Sequence, residues 1–464
     1  MNRVLFAGTG SGAGKTTIVC SILNELVKRR FNVVAFKCGP DYIDPMFHRH
    51  VLGIAGYNLD SFFLEREALL GHFCEKCIGQ DFAVLEGAMG YYDGAGFTTK
   101  GSAYEIAAIT QTPVILIVNG KGMANSVCAV VRGFLSQTEN SGIRGVILNQ
   151  VTEKTYIGVK SELEGLGVIP CGFVNKLKED LMFDERHLGL DFTNEGDCLK
   201  EKISRLFGEV CRTLETDKIL EIAKAAPAFP IVPRNTGGDD LNIGLPDTDA
   251  GGHLLAVAYD EAFTFIYAEN LQLLKRHGIR PVFFSPIRDK ALPAGCAGLF
   301  LSGGYPEKYA KELSENEQMR SAIKKAVLSK MPVIAECGGY MYLKDAIEGM
   351  DGRLYQMAGV FSGTARRTKR PVRFGYVTLT AKRDNLLCLA GETLKAHEFH
   401  YWDCEENGDG FTAQPAGNRE PYSCIYAGET VFAGYPHLYL LSNENAVLNF
   451  KKRCEEYEIG NKIK

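Results

Sequence analysis

Apolar residues along this chain fall in short unbroken runs, separated by longer stretches where they recur every three or four positions. Residues 3–7, 33–37, 82–86, 113–119 and 144–149 are such runs and read as strands buried on both faces. Between them, 15–30 and 123–137 carry helical spacing. Strand and helix alternate, which predicts a parallel sheet covered by helices. The rhythm lapses at 224–253, where Pro, Gly and Asp dominate without a period. That stretch reads as a linker between a domain at 1–223 and another at 254–464. The second domain resumes with strands at 254–259, 280–285, 298–301 and 331–336 and a helix at 263–277. From about residue 372 the pattern turns β-rich, with strands at 372–380, 424–427 and 430–434. The fold class is therefore α/β in both halves. Internal repeats and low-complexity tracts are not visible.

Composition narrows this little. The 464 residues are 45% hydrophobic and 23% charged, which excludes a disordered or fibrous chain. A net charge of −4 gives no basic surplus for nucleic acid or an anionic membrane. The apolar run at 113–118 falls well short of the ~18 residues of a membrane span. The first strand runs straight into a glycine-rich loop with no h-region, so a secretory signal is not expected and the cytoplasm is. In that reducing setting the 14 cysteines are expected as free thiols. Cys74 and Cys77 form a Cys-x-x-Cys, but within a helical stretch and without a second pair, so they read as core.

The first candidate chemistry follows the first strand. Gly8-Thr9-Gly10-Ser11-Gly12-Ala13-Gly14-Lys15-Thr16-Thr17 is a phosphate-binding loop. Its glycines let backbone N–H groups turn toward phosphate oxygens, and the following helix adds its positive end. Lys15 would reach the β- and γ-phosphates of ATP, and the Thr16 hydroxyl would ligate Mg²⁺. A strict motif has glycine where Thr9 stands; here the glycine is one earlier, at Gly8. The second strand ends in Lys37-Cys38-Gly39-Pro40-Asp41-Tyr42-Ile43-Asp44-Pro45, at the sheet edge where α/β folds bind ligands. Chemistry alone leaves either Asp41 or Asp44 as a metal ligand. The third run ends in Glu86, followed by Gly87-Ala88-Met89-Gly90, as a Mg²⁺-holding acid should. Our assignment puts Thr16, Asp41 and Glu86 on the metal, and Lys37, Tyr42 and Asp44 on phosphate or a substrate carboxylate.

The P-loop with Gly at 8 and Thr at 9 resembles dethiobiotin synthetase and its carboxylate-activating relatives. Plasmid-partition ATPases carry an extra lysine where Gly10 stands. Together the P-loop, 37–45, Asn58-Leu59-Asp60 and Glu86-Gly87-Ala88-Met89-Gly90-Tyr91-Tyr92-Asp93-Gly94 closely resemble the cobyrinate a,c-diamide synthase family. The resemblance also makes Asn149, after the strand 144–149, a candidate to read the adenine.

The second half offers a nucleophile. A strand leads into Glu336-Cys337-Gly338-Gly339, a cysteine on a tight strand-to-helix turn. The following helix is expected to lower the thiol pKa and favour thiolate. His437, after the run 430–434, is the candidate base. The turn Ser302-Gly303-Gly304-Tyr305-Pro306-Glu307 offers N–H groups of Gly303 and Gly304 which, with Gly338, would form an oxyanion hole. These segments, with His397-Glu398-Phe399-His400, resemble the class I (triad-type) glutamine amidotransferase domain of the same family. The resemblance implies a flavodoxin-like fold there, after a dethiobiotin synthetase-like doubly wound sheet in the first half. Triad amidotransferases carry an acid two residues after the histidine; here that residue is Tyr439, so the third member is missing or replaced. His397 and His400 are expected to serve structure or a domain interface.

Joined, the halves imply a ligase. Cys337 and His437 release ammonia from L-glutamine, ATP activates a carboxylate as an acyl phosphate, and ammonia displaces the phosphate. The domains would then face each other across the linker. The family resemblance implies cobyrinate as the tetrapyrrole, amidated at its a and c acetates in cobalamin biosynthesis. Hydrogenobyrinate and Ni-sirohydrochlorin stand as alternative substrates. A homodimer is expected on the same ground. The basic stretch Arg366-Arg367-Thr368-Lys369-Arg370, with Arg373, is either a solvated loop or a partner for the substrate's carboxylates.

Overall fold

A computed structural model describes residues 1–181, 196–228, 252–417 and 419–462. The chain divides into two compact units, Met1–Asp239 and Asp240–Lys464. Most of the expected linker lies outside the described residues.

The first unit is built on β1 (Asn2–Gly8), β2 (Val33–Cys38), β3 (Ala55–Leu59), β4 (Phe82–Gly87), β5 (Val114–Asn119), β6 (Ile143–Asn149) and β7 (Ile169–Val174). They form one parallel sheet in the order β3-β2-β4-β1-β5-β6-β7. Two of these strands, β3 and β7, escape the hydrophobic-run reading, because glycine or proline interrupts each of them. In β1, β2, β4 and β5 nearly every residue is buried, as continuous apolar runs require. Register aligns the chemistry: Glu86 on β4 lies opposite both Phe6 on β1 and Lys37 on β2. The ends of three strands thus bring the P-loop, Lys37 and Glu86 to one edge.

Helix α1 (Lys15–Lys28) starts directly behind the P-loop, with Gly14 left-handed at φ 91° and no side-chain cap. Its first N–H groups are left for a ligand rather than a capping residue. Helix α2 (Ile43–Leu52) begins under Asp41, whose Oδ1 accepts from the peptide N–H of Ile43 at 2.9 Å and of Asp44 at 3.1 Å.

The second unit holds a sheet in the order 279–284, 253–258, 296–301, 333–336, 431–434 and 426–427. Its strands run parallel except for the last pair. An antiparallel sheet of 422–424, 411–415, 373–381, 393–400 and 437–438 completes the β-rich end. The expected helix over 263–277 is corrected. Phe263–Phe265 is a short strand paired with Gly303–Gly304, and the helix is Ala268–Arg276. The Phe-Thr-Phe sequence prefers a pleated surface. The strand expected at 424–427 is split by Ile425, at φ 70°.

Candidate active site

In the first unit, polar side chains converge behind the P-loop. Lys37 Nζ donates to Asp44 Oδ2 and, at 2.7 Å, to Glu86 Oε1. The Thr16 hydroxyl donates to Glu86 Oε1 at 2.7 Å and lies 3.4 Å from Asp44 Oδ2. Lys37, Asp44 and Glu86 are all buried. Burial opposes the Lys37 charge, but Asp44 and Glu86 outweigh it and raise its pKa well above the ordinary value. Burial likewise opposes the Asp44 charge, and Lys37 nonetheless holds that carboxyl below its usual range. Burial pushes Glu86 up to about 7. Glu86 Oε2 is buried with no hydrogen-bond partner, as an oxygen reserved for a hard cation would be. The residues therefore fit Mg²⁺, with a change of membership: Asp44 sits on Thr16, while Asp41 caps α2 and is pushed up to about 6, chiefly by burial. This departs from the expectation that Asp41 joins the metal and Asp44 the phosphate. Tyr42 occupies the N-cap position of α2.

Lys15 Nζ reaches the carbonyls of Gly10, at 3.0 Å, and Met89. Asn149 lies behind the loop. Its Nδ2 donates to Ala13 O at 2.9 Å and its Oδ1 accepts from Gln150 N–H at 2.9 Å. A side chain on Gly14 would collide with that amide. Asn149 thus braces the P-loop from beneath.

In the second unit, strand Val333–Glu336 stops at Cys337, whose backbone sits at φ 46°, ψ −102°. A non-glycine residue here is strained, as on a nucleophile elbow. The Cys337 N–H is held by Gly434 O at 2.8 Å, so the elbow and the segment leading to His437 share one sheet edge. A Cβ on Gly303 would strike the His437 ring, and one on Gly338 would lie 3.0 Å from Gly304 N. Gly303, Gly304, Gly338 and His437 therefore crowd around the elbow, and only glycine fits at Gly303.

The expected thiolate is corrected. Burial pushes the Cys337 thiol well above its ordinary value; Glu307, Glu398 and Glu336 add to this, and the Gly338 N–H offsets little of it. The helix Gly338–Leu343 starts directly at Cys337, but burial outweighs what its first N–H offers the sulfur. His437 is pushed down to about 4 by burial. Its Nδ1 lies 3.6 Å from Glu336 Oε2, and both side chains are 3% exposed. Glu336 Oε1 accepts from Leu438 N–H at 3.2 Å. Tyr439 packs edge-on against Tyr267, with ring centroids 5.1 Å apart. His400 is structural: it stacks on Tyr435 at 3.8 Å and its Nδ1 pairs with Trp402 O. His397 lies opposite His437 on the neighbouring strand.

Two domain families match the chain. One, described as the CobQ/CobB/MinD/ParA nucleotide binding domain, covers residues 4–180. The other, a CobB/CobQ-like glutamine amidotransferase domain, covers residues 255–445. A cobyrinate a,c-diamide synthase of Caldanaerobacter subterraneus subsp. tengcongensis is 38% identical over 458 residues, 98% of each chain. The chain belongs to the cobyrinate a,c-diamide synthase family. Enzymes of that name from Dehalococcoides mccartyi and Salmonella typhimurium are 37% and 38% identical, over 98% of both chains and over 86% of this chain and 85% of the other, respectively. For this family member, the nickel-tetrapyrrole and hydrogenobyrinate readings are not favoured by these relatives.

The basic stretch divides. Arg373 lies 3.9 Å from the Tyr422 ring centroid, and Tyr422 in turn donates to Glu398. Arg366, Arg367, Lys369 and Arg370 are exposed. Cys74 and Cys77 are buried core thiols, and among the described residues no group of three or more His, Cys, Asp and Glu side chains is arranged to hold a metal. Sequence reasoning missed Glu336 as a neighbour of His437. Its only signal was a charge ending an apolar strand.

Proposed function

We propose that this chain catalyses ATP- and glutamine-dependent amidation of the a and c acetate carboxylates of cobyrinate. The observation that carries the reading is the pairing, in one chain, of a Thr16–Glu86–Lys37–Asp44 cluster behind a P-loop with a Cys337 elbow crowded by His437. A carboxylate is a poor electrophile at neutral pH, so the first unit spends ATP to make the acyl phosphate. Lys15 and the backbone N–H groups of residues 8–17 hold the phosphates. Thr16, Asp44 and Glu86 would hold Mg²⁺, which neutralises phosphate charge when bound. Lys37 keeps Asp44 ionised and holds both carboxylates in place.

In the second unit, His437 takes the Cys337 proton as the sulfur adds to the glutamine amide carbon. The N–H groups near Gly303, Gly304 and Gly338 receive the developing oxyanion. His437 returns the proton to nitrogen, ammonia leaves, and water hydrolyses the thioester to glutamate. Ammonia then displaces phosphate from the acyl phosphate. Because Cys337 rests as a thiol, proton transfer to His437 accompanies attack rather than preceding it.

The test is amidation of cobyrinate with Mg²⁺–ATP, read by mass spectrometry, for the native chain and Cys337→Ala. The native chain should give the diamide with glutamine, and the variant only with ammonium. If the native chain leaves cobyrinate unchanged with either nitrogen source, the reading fails.

A further inference from the structure

A histidine that accepts a thiol proton at one ring nitrogen must hold a proton at the other, and something must fix that tautomer. The position that carries the acid in triad amidotransferases is Tyr439 here, packed against Tyr267. The groups facing His437 come from several elements. Gly303 has no side chain, and the Phe265 ring centroid lies 6.3 Å away. His397, opposite on the next strand, is a neutral base pushed down to about 3 by burial and by His437. From the strand before the elbow comes Glu336, an acid.

We propose that Glu336, the residue immediately before the nucleophile, is the positioning residue of His437 and takes the place of the missing third member. This rests on the glutaminase reading above. The strand register brings it about. Glu336 pairs with Gly434, and three residues later the chain returns His437 beside it. The Leu438 N–H holds Oε1, which leaves Oε2 toward His437 Nδ1 at 3.6 Å. Water hardly competes, since both side chains are 3% exposed. As a carboxylate, Glu336 accepts the Nδ1 proton, and the Nε2 lone pair is left to take the proton of Cys337. One strand end thus supplies both the nucleophile and the group that orients its base.

Burial pushes Glu336 up to about 8, so its carboxylate forms as pH rises through that value. Glutamine-dependent turnover should rise across the same range. The other titratable groups around the site are Cys337, His397, Glu307 and Glu398.

Glu336→Gln tests this. It keeps the side-chain volume and an oxygen for Leu438 N–H, but offers no charge. Glutaminase kcat should fall about 100-fold, with KM for glutamine within about threefold, and the rise near pH 8 should vanish. Ammonium-dependent amidation in the same sample reports that the chain is folded. In ¹⁵N NMR above pH 8, where Glu336 is ionised, His437 should carry its proton on Nδ1 in the native chain and lose that preference in the variant. A variant with kcat within about threefold of native and an unchanged pH profile would overturn the proposal, as would an Nε2–H tautomer in the native chain above pH 8. Failure of the broader reading looks different, because the native chain would then make no diamide from glutamine.

Discussion

Lys37 with Asp44 and Glu86 in the first unit, and Glu336 with His437 in the second, are acid–base clusters withdrawn from water, yet burial acts on them differently. Around Lys37 the ion pairs outweigh desolvation, so the lysine and Asp44 stay charged. Around His437, no cation among the described residues is close enough to do this. Burial drives Glu336 up to about 8 and His437 down to about 4, and at pH 7 both rest largely neutral. The difference fits the two tasks. A site for polyphosphate needs fixed charge in fixed places. A site that moves one proton needs groups whose charge can change near the working pH.

The largest effect expected from this contrast is on Lys37. Lys37→Met leaves Asp44 and Glu86 buried without their cation, and should cost about 3–5 kcal/mol of stability in urea unfolding as well as ATP-dependent amidation. The near-isosteric Glu336→Gln should cost under ~1.5 kcal/mol in the same measurement, since it removes no permanent charge. Equal losses in the two variants would erase the comparison. Next in size is Gly303→Ala, whose methyl group displaces the His437 ring. Glutamine-dependent turnover should drop about 100-fold, while ammonium-dependent turnover holds. Asn149→Ala removes the brace under Ala13 and should cost about 1–2 kcal/mol and raise KM for ATP. A change in purine selectivity would instead support its role as the adenine reader. Smallest is Cys77→Ala, with about 1 kcal/mol lost and both half-reactions intact; loss of activity there would revive a chemical role for the Cys-x-x-Cys.

Most of the sheet architecture was legible because buried parallel strands are runs of apolar residues, and 3–7, 82–86 and 113–119 show this plainly. Strands β3 and β7 hid because Gly56 and Pro170 break the run. Phe263–Phe265 passed for a helix because its strand partner, Gly303–Gly304, lies some forty residues away and carries no periodic signal. The candidate site was legible where backbone geometry demands glycine, as after Cys337 and around Lys15. It was not legible where burial sets the chemistry. The raised thiol of Cys337, the swap of Asp44 for Asp41 beside Thr16, and the approach of Glu336 to His437 depend on the packing and register of distant strands. No local spacing encodes those.

The burial of Cys337 has a consequence for how this chain meets oxidants. Peroxide and alkylating agents react with thiolates, and a thiol 6% exposed and pushed well above its ordinary pKa offers them almost none. The resting nucleophile should therefore outlast an exposed cysteine under oxidative stress. Glutamine, which brings its own amide to the elbow, should be the reagent that finds it. Iodoacetamide ought to label Cys337 slowly in the free enzyme, and a glutamine-shaped chloroketone quickly; fast labelling by both would mean that the site is open at rest.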